Sequence, residues 1–236
     1  MLEKLKTTVW KANMRLRDEG LAVLTWGNAS AFDPSSGLVV IKPSGVPYDS
    51  MTPDDMVVVS LDGTVAEGRL RPSSDTPTHL ALYRAFRGVC GVVHTHSPEA
   101  TAWAQAGIAL PCYGTTHADC FHGDVPVTRM LTEAEVSSDY EGSTGAVIVE
   151  LFRDADPLER PGALVAGHGP FTWGADVMAA VDVAVSLEEI AKMASRTRQL
   201  VSGGEVPRLP DYVMDKHYLR KHGKGAYYGQ GACGTR

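Results

Sequence analysis

The chain has 236 residues, 44% hydrophobic and 21% charged, with a net charge of −6; it can bury a sizeable core, and with no block of like charges it excludes a nucleic-acid or anionic-membrane surface. No stretch approaches the roughly 20 apolar residues of a membrane span, and the opening MLEKLKTTVWKANMRL lacks the apolar run of a signal peptide. The four cysteines, Cys90, Cys112, Cys120 and Cys233, form no CxxC pair, which suits a reducing compartment, so the expected setting is the cytoplasm and the expected partner a small molecule.

Leu2, Leu5, Val9, Ala12 and Leu16 recur at three- and four-residue spacing, which predicts an amphipathic helix over 2–18 that ends before Gly20. LTWGNAS at 24–30 and GLVVIKPSG at 37–45 then place small residues and donors in two loops. Ser44 and Gly45 offer a hydroxyl and a backbone N–H, Asn28 an amide and Lys42 a charge. Together they describe a cradle for a phosphate or sugar hydroxyls, although each loop alone reads as a plain turn. Residues 56–68 predict a hairpin turning at Asp62-Gly63. In 71–86, Ser73, Ser74 and Asp75 precede a predicted helix with Thr76 as N-cap and Pro77 at its first position. A helix N-terminus attracts anions, so the serines extend the cradle, while Asp75 has a competing role as a capping group.

VVHTHS at 92–97 ends a predicted buried strand in two histidines one residue apart. Successive strand side chains point to opposite faces, so His94 and His96 share a face and Thr95 turns away, a bidentate metal-ligand pattern. Ser97 and Pro98 predict the start of a helix, and Cys90 is expected in the core. After a helix through 100–106, the segment GTTHADCFHG at 114–123 reads as an irregular polar loop where catalytic groups are expected. It carries Asp119, with His117 and His122 expected at the surface.

A short helix over 131–136, a strand or helix over 146–152 and a charged turn over 154–161 follow. ALVAGHGPFTWG at 163–174 repeats the pattern of an apolar strand ending in a histidine, His168, between glycines that let the backbone turn. Residues 176–200 predict a long helix, and 202–210 a Gly/Pro break. The tail 215–230, with His217, Tyr218, Tyr227 and Tyr228, is expected to fold over a site, and 231–236 to be a disordered trailer. No repeat or linker divides residues 1–230, which predicts one domain. Three strand-end histidines would leave a zinc-like ion at least one open position. Beside an anion cradle, such an ion polarises the oxygens of a phosphorylated sugar and supports an enediolate; metal-assisted hydrolysis is the competing chemistry.

In order, and over nearly the whole of residues 1–230, TWGNAS, IKPSG, SSDTPTH, VHTHS, TTHAD, GHGPF and DKHYLRKHG with AYYGQ resemble the class II sugar-phosphate aldolase/epimerase family. The resemblance implies an α/β fold of three layers, α/β/α, with a largely antiparallel central sheet, and a ring-shaped homotetramer with active sites between subunits. It implies Zn2+, or another divalent ion, held by His94, His96 and His168, with Asp75 as a further ligand or near neighbour. Gly27, Asn28, Ser44, Gly45, Ser73 and Ser74 match the substrate-phosphate loops, and Lys42 lies in the same motif. Asp119 matches one catalytic acid/base and Tyr228 the other, the tyrosine reaching in from an adjacent subunit. Thr115, Glu141 and His217 match positions near an aldehyde fragment. Gly167 departs from the family pattern, where a larger residue is common, which implies a looser loop.

The activity implied is interconversion of L-ribulose 5-phosphate and D-xylulose 5-phosphate by cleaving and re-forming the C3–C4 bond. Two alternatives stand beside it: an aldolase of the L-fuculose- or L-rhamnulose-phosphate type that releases dihydroxyacetone phosphate and an aldehyde, and a non-catalytic adducin-like scaffold. Asp75, where such aldolases usually present a glutamate, and the DKHYLRKHG tail favour the epimerase. The retained His94, His96, His168 and Asp119 weigh against a scaffold.

Overall fold

A computed structural model describes residues 2–201, 204–222 and 224–228. The expected trailer, 231–236, lies outside the described residues. Seven strands, β1 (Asn28–Asp33), β2 (Leu38–Ile41), β3 (Val57–Ser60), β4 (Val65–Glu67), β5 (Gly91–His94), β6 (Gly162–Leu164) and β7 (Pro170–Gly174), pair in the order β4-β3-β2-β1-β5-β7-β6. Every pairing of neighbours in that order is antiparallel. The helices are α1 (Glu3–Asp18), α2 (Thr76–Ala85), α3 (Pro98–Ala106), α4 (Thr115–Ala118), α5 (Glu133–Ser138), α6 (Tyr140–Leu151), α7 (Val177–Leu200) and α8 (Asp211–His222).

Strand alternation builds the layers, because successive side chains leave opposite faces of the sheet. Ala29, Ala31, Val40, Val58 and Val93 pack on one face against Val9, Ala12 and Leu16 of α1 and Val177, Val181 and Ala184 of α7. Their sequence neighbours Val39, Ile41, Val57, Val59 and Val92 pack on the other, against Leu80 and Tyr83 of α2 and Ile148 of α6. The result is the expected α/β/α arrangement with an antiparallel centre. A third cluster joins Trp103 of α3 to Leu187, Ile190 and Ala191 of α7.

This topology gathers strand ends. Asn28 opposes His94 across β1 and β5, His94 opposes Phe171 across β5 and β7, and Ser30 opposes Ile41 across β1 and β2. The starts of β1 and β7 and the ends of β2 and β5 therefore lie at one end of the sheet.

Several local expectations change. Segment 146–152 is helical, as part of an α6 that begins at Tyr140. Residues 114–123 are not wholly irregular, since α4 occupies Thr115–Ala118. Helix α2 begins at Thr76 with Asp75, not Thr76, at the N-cap position and Pro77 within the first turn. His117 is not a surface residue: it is 3% exposed, with Nε2 donating to the Gly123 carbonyl at 2.8 Å. Cys90 is half-buried rather than core. Among the described residues no helix is long and apolar enough to cross a membrane.

Candidate active site

His94 closes β5 and is buried. Its ring stacks on Phe171 with centroids 4.2 Å apart, and its Nδ1 faces the Pro170 carbonyl at 3.0 Å. A carbonyl only accepts, so Nδ1 carries the proton and Nε2 presents a lone pair, the tautomer a ligating imidazole needs. His96 lies just past the strand end, and its Nε2 stands 3.1 Å from that of His94. His168 comes from the turn between β6 and β7, its ring 4.7 Å from that of His94 and 5.0 Å from that of His96. One nitrogen from each of the three falls within 4.8 Å of the others.

The surroundings favour the neutral form of two of these donors. Burial, followed by the neighbouring His94 and His96, pushes His168 down to about 4, and burial also lowers His96. Neutral imidazole is the ligating form, so the three residues fit a divalent ion.

The turn that carries His168 has backbone hydrogen bonds at and around Gly167. That residue adopts a left-handed φ of 71°, its N–H donates to Ala104 O at 2.9 Å, and the N–H of Val165 donates to Gly169 O at 2.9 Å. Gly27 is fixed by a close approach: at φ 76°, a Cβ there would meet the His94 carbonyl oxygen at 3.0 Å.

Asp75 lies outside the histidine cluster. Its Oδ2 accepts from Asn28 Nδ2 at 2.6 Å, and it makes no side-chain cap bond to α2. Burial opposes its charge, yet His94, His79, the Asn28 hydrogen bond and His168 hold its carboxyl below the ordinary value. Behind it, His79 is fully buried, with Nδ1 2.7 Å from the Ser30 hydroxyl.

The loops expected to form an anion cradle lie beside the histidines. Ser44 N–H donates to Arg71 O at 2.9 Å and Ser73 N–H to Lys42 O at 3.0 Å, which ties the loop after β2 to the loop before α2. Lys42 is 2% exposed, its ammonium donating to Thr25 O at 3.3 Å and standing 4.9 Å from the centre of the Tyr48 ring. Burial pushes Lys42 down to about 8 against the opposing pull of Asp75. Gly27, Asn28, Lys42, Ser44, Gly45, Ser73, Ser74, Asp75, Glu141 and the three histidines line one cavity of about 380 Å³.

The remaining expected residues assemble elsewhere. Asp119, at the end of α4, accepts from Arg220 Nη2 at 2.8 Å on each carboxylate oxygen. His217 Nδ1 stands 3.1 Å from it and Lys221 Nζ 3.3 Å. Burial raises the Asp119 carboxyl, but hydrogen bonds from Arg220, His217 and Lys221 outweigh it and hold the group below its ordinary value. Tyr228 is 60% exposed, with the Arg220 guanidinium 4.7 Å and the Lys221 ammonium 4.6 Å from its ring centre. Neither Thr115, Asp119, His217 nor Tyr228 lines the histidine cavity, whereas Glu141, expected near Thr115, does. Tyr218 is a core residue of α8, its ring 4.9 Å from His122 and 4.5 Å from His222.

Tyr140, Trp26 and Thr25 also line the cavity, and Arg220 organises the second cluster; the sequence reading singled out none of them. Arg220 lay within the RKHG motif and Tyr140 beside Glu141, so adjacency to motif residues was the available signal.

Residues 7–195 match the family described as Class II Aldolase and Adducin N-terminal domain. The chain is 57% identical over 229 residues to the L-ribulose-5-phosphate 4-epimerase UlaF of Salmonella paratyphi A (strain ATCC 9150 / SARB42), covering 97% of this chain and 100% of that protein. The protein of that name from Salmonella typhi matches equally. Among solved structures, an L-fuculose 1-phosphate aldolase superposes with a TM-score of 0.77 at 26% identity, covering 92% of this chain and 95% of its own. The L-fuculose-1-phosphate aldolase of Thermus thermophilus gives 0.68 at 26% identity, with 87% and 99% covered.

Proposed function

The chain belongs to the class II aldolase and adducin family, and from that premise we propose that it is an epimerase interconverting L-ribulose 5-phosphate and D-xylulose 5-phosphate. The observation that carries the reading is the 57% identity, over the full length of a relative, to a protein named for that reaction. The cavity supports it, because three imidazoles sit beside a loop pair of hydroxyls, backbone N–H groups and one buried lysine.

Carbon 4 of the ketopentose is not adjacent to the carbonyl, so its proton is too weakly acidic for direct removal and return. Breaking the C3–C4 bond avoids that difficulty. His94, His96 and His168 would hold a divalent ion, which would supply Lewis acidity for the cleavage. Ser44, Ser73, Ser74 and the Gly45 backbone bind the phosphate, and Lys42 adds charge. Asn28 holds Asp75 at the rim of the histidine cluster. Asp119 and Tyr228 exchange the proton of the 4-hydroxyl on opposite sides: as that proton leaves, the C3–C4 bond breaks with its electron pair left on the C1–C3 dihydroxyacetone fragment, and the C4–C5 fragment, glycolaldehyde phosphate, turns its aldehyde group and is recaptured on its other face.

The second cluster lies apart from the cavity of its own chain, which supports a homotetramer in which one copy delivers Asp119 and Tyr228 to another. Incubation with L-ribulose 5-phosphate tests the assignment: D-xylulose 5-phosphate should appear with little free glycolaldehyde phosphate. Release of dihydroxyacetone and glycolaldehyde phosphate without D-xylulose 5-phosphate makes the protein an aldolase instead.

Lys42 gives this site a pH signature. Its ammonium is lost as pH rises through about 8, whereas an unperturbed lysine keeps its proton to about 10.4. Inorganic phosphate is fully dianionic above that pH, so its affinity for chelator-treated protein should fall up to about tenfold per pH unit above 8. The Lys42→Met protein should bind weakly and without this break. Stability moves the other way. The unfolded chain binds the extra proton between about 8 and 10.4, so the lysine's contribution to stability rises across that window. Flat phosphate affinity from pH 7 to 10 in the wild type would remove Lys42 from the anion site.

A further inference from the structure

The imidazoles of the cluster are oriented from behind by different means. His94 is held by a backbone carbonyl, that of Pro170. His168 is held by a side chain, its Nδ1 3.4 Å from the Tyr140 hydroxyl with ring centroids 6.0 Å apart. With Nδ1 engaged there, the nitrogen left for the cluster is Nε2. An imidazole that ligates through Nε2 carries its proton on Nδ1, so Nδ1–H donates and the phenolic oxygen accepts.

The phenol's own proton then remains to be placed. Among the described residues no acceptor takes it, and Tyr140 lines the same cavity as His168 and the phosphate loops. The tyrosine also stands on fixed backbone. It is the first residue of α6, whose N-terminus is closed by Asp139 Oδ1 accepting from Gly142 N–H at 3.0 Å. Thr78 of α2 donates to Glu141 O at 2.6 Å, which pins that turn of α6 against the sheet-packed helix.

We propose that Tyr140 is a positioning residue that orients His168 by accepting its Nδ1–H and donates its own hydroxyl proton to an oxygen of the bound sugar phosphate. The proposal rests on the reading of the three histidines as a metal site. A backbone carbonyl has no proton to pass on, so His168 is the ligand through which sugar and metal sense each other. By linkage, whatever tightens the tyrosine on the sugar also steadies the ligand.

The test compares wild type, Tyr140→Phe and His168→Asn in competition with a chromogenic chelator for Zn2+. Loss of an outer hydrogen bond should weaken zinc binding about 10- to 100-fold in Tyr140→Phe, and His168→Asn should weaken it further. Metal-free Tyr140→Phe should melt with metal-free wild type, since the hydroxyl contributes to the cavity and not to the core. With zinc saturating, the KM of Tyr140→Phe for L-ribulose 5-phosphate should rise roughly 3- to 10-fold, as for one lost neutral hydrogen bond. Wild-type zinc affinity in Tyr140→Phe, beside a loss in His168→Asn, overturns the role of Tyr140 and leaves the metal site standing. An unchanged KM overturns the sugar-donor half. A wild type that binds no zinc overturns the metal reading and this proposal with it.

Discussion

Stripping the divalent ion should abolish turnover and leave phosphate binding largely in place. On the proposed reading the two functions belong to different elements: metal binding to the histidines at the end of β5 and in the β6–β7 turn, phosphate binding to the loops at residues 42–45 and 73–75. The loops are fastened to each other through Ser44–Arg71 and Ser73–Lys42 backbone bonds, none of which involves an imidazole. Charge stabilisation by a metal is worth several kcal/mol, so kcat should fall by about 10³-fold or more on chelation and return on adding Zn2+. His96→Asn should reproduce the loss permanently. His96 is the exposed member of the trio, so this substitution removes a donor without opening a cavity in the core. Metal content by atomic absorption, read beside activity and inorganic phosphate binding, separates the effects. Full activity in protein shown to be metal-free would overturn the assignment.

The sequence made the histidine cluster legible because its histidines follow apolar runs, and strand ends at one end of an antiparallel sheet lie together. The cradle was legible for a related reason: Ser, Gly and Pro after β2 and before α2 leave polar groups free at that same edge. What stayed hidden depends on packing between distant segments. The helical start at Thr115 carries no apolar period across its four residues, so the segment reads as loop. His117 resembles any polar loop histidine until α4 turns it inward onto the Gly123 carbonyl. The side chain of Asp75 had two plausible partners in sequence, the metal and the helix N-terminus, and in the structure it is held by Asn28, 47 residues away in the chain. Tyr140 could not be picked out, because its role depends on where α6 places it against the turn that holds His168.

Hybrid tetramers should recover activity from two inactive proteins, and the pattern of recovery should reveal which residues travel together. If each site takes its histidines from one copy and its tyrosine from the next, an equimolar mixture of His96→Asn and Tyr228→Phe chains regains an intact site wherever an unaltered cavity meets an unaltered tail. Random assembly into a closed ring makes that about one site in four, so the mixture should reach about a quarter of wild-type activity. Asp119 sharpens the test. Arg220 binds both oxygens of Asp119 and packs on the ring of Tyr228 within the same chain, so the two groups should enter a neighbour's cavity as one unit. Asp119→Asn should slow epimerisation at least about 100-fold, the lower range for losing a general acid or base. Mixed with His96→Asn, it should recover as the tyrosine variant does. Mixed with Tyr228→Phe, it should recover nothing, because no chain in that mixture carries both groups. Recovery in this last mixture would mean that Asp119 serves the cavity of its own copy while Tyr228 crosses alone, and no recovery in any verified hybrid would mean that the site is not shared.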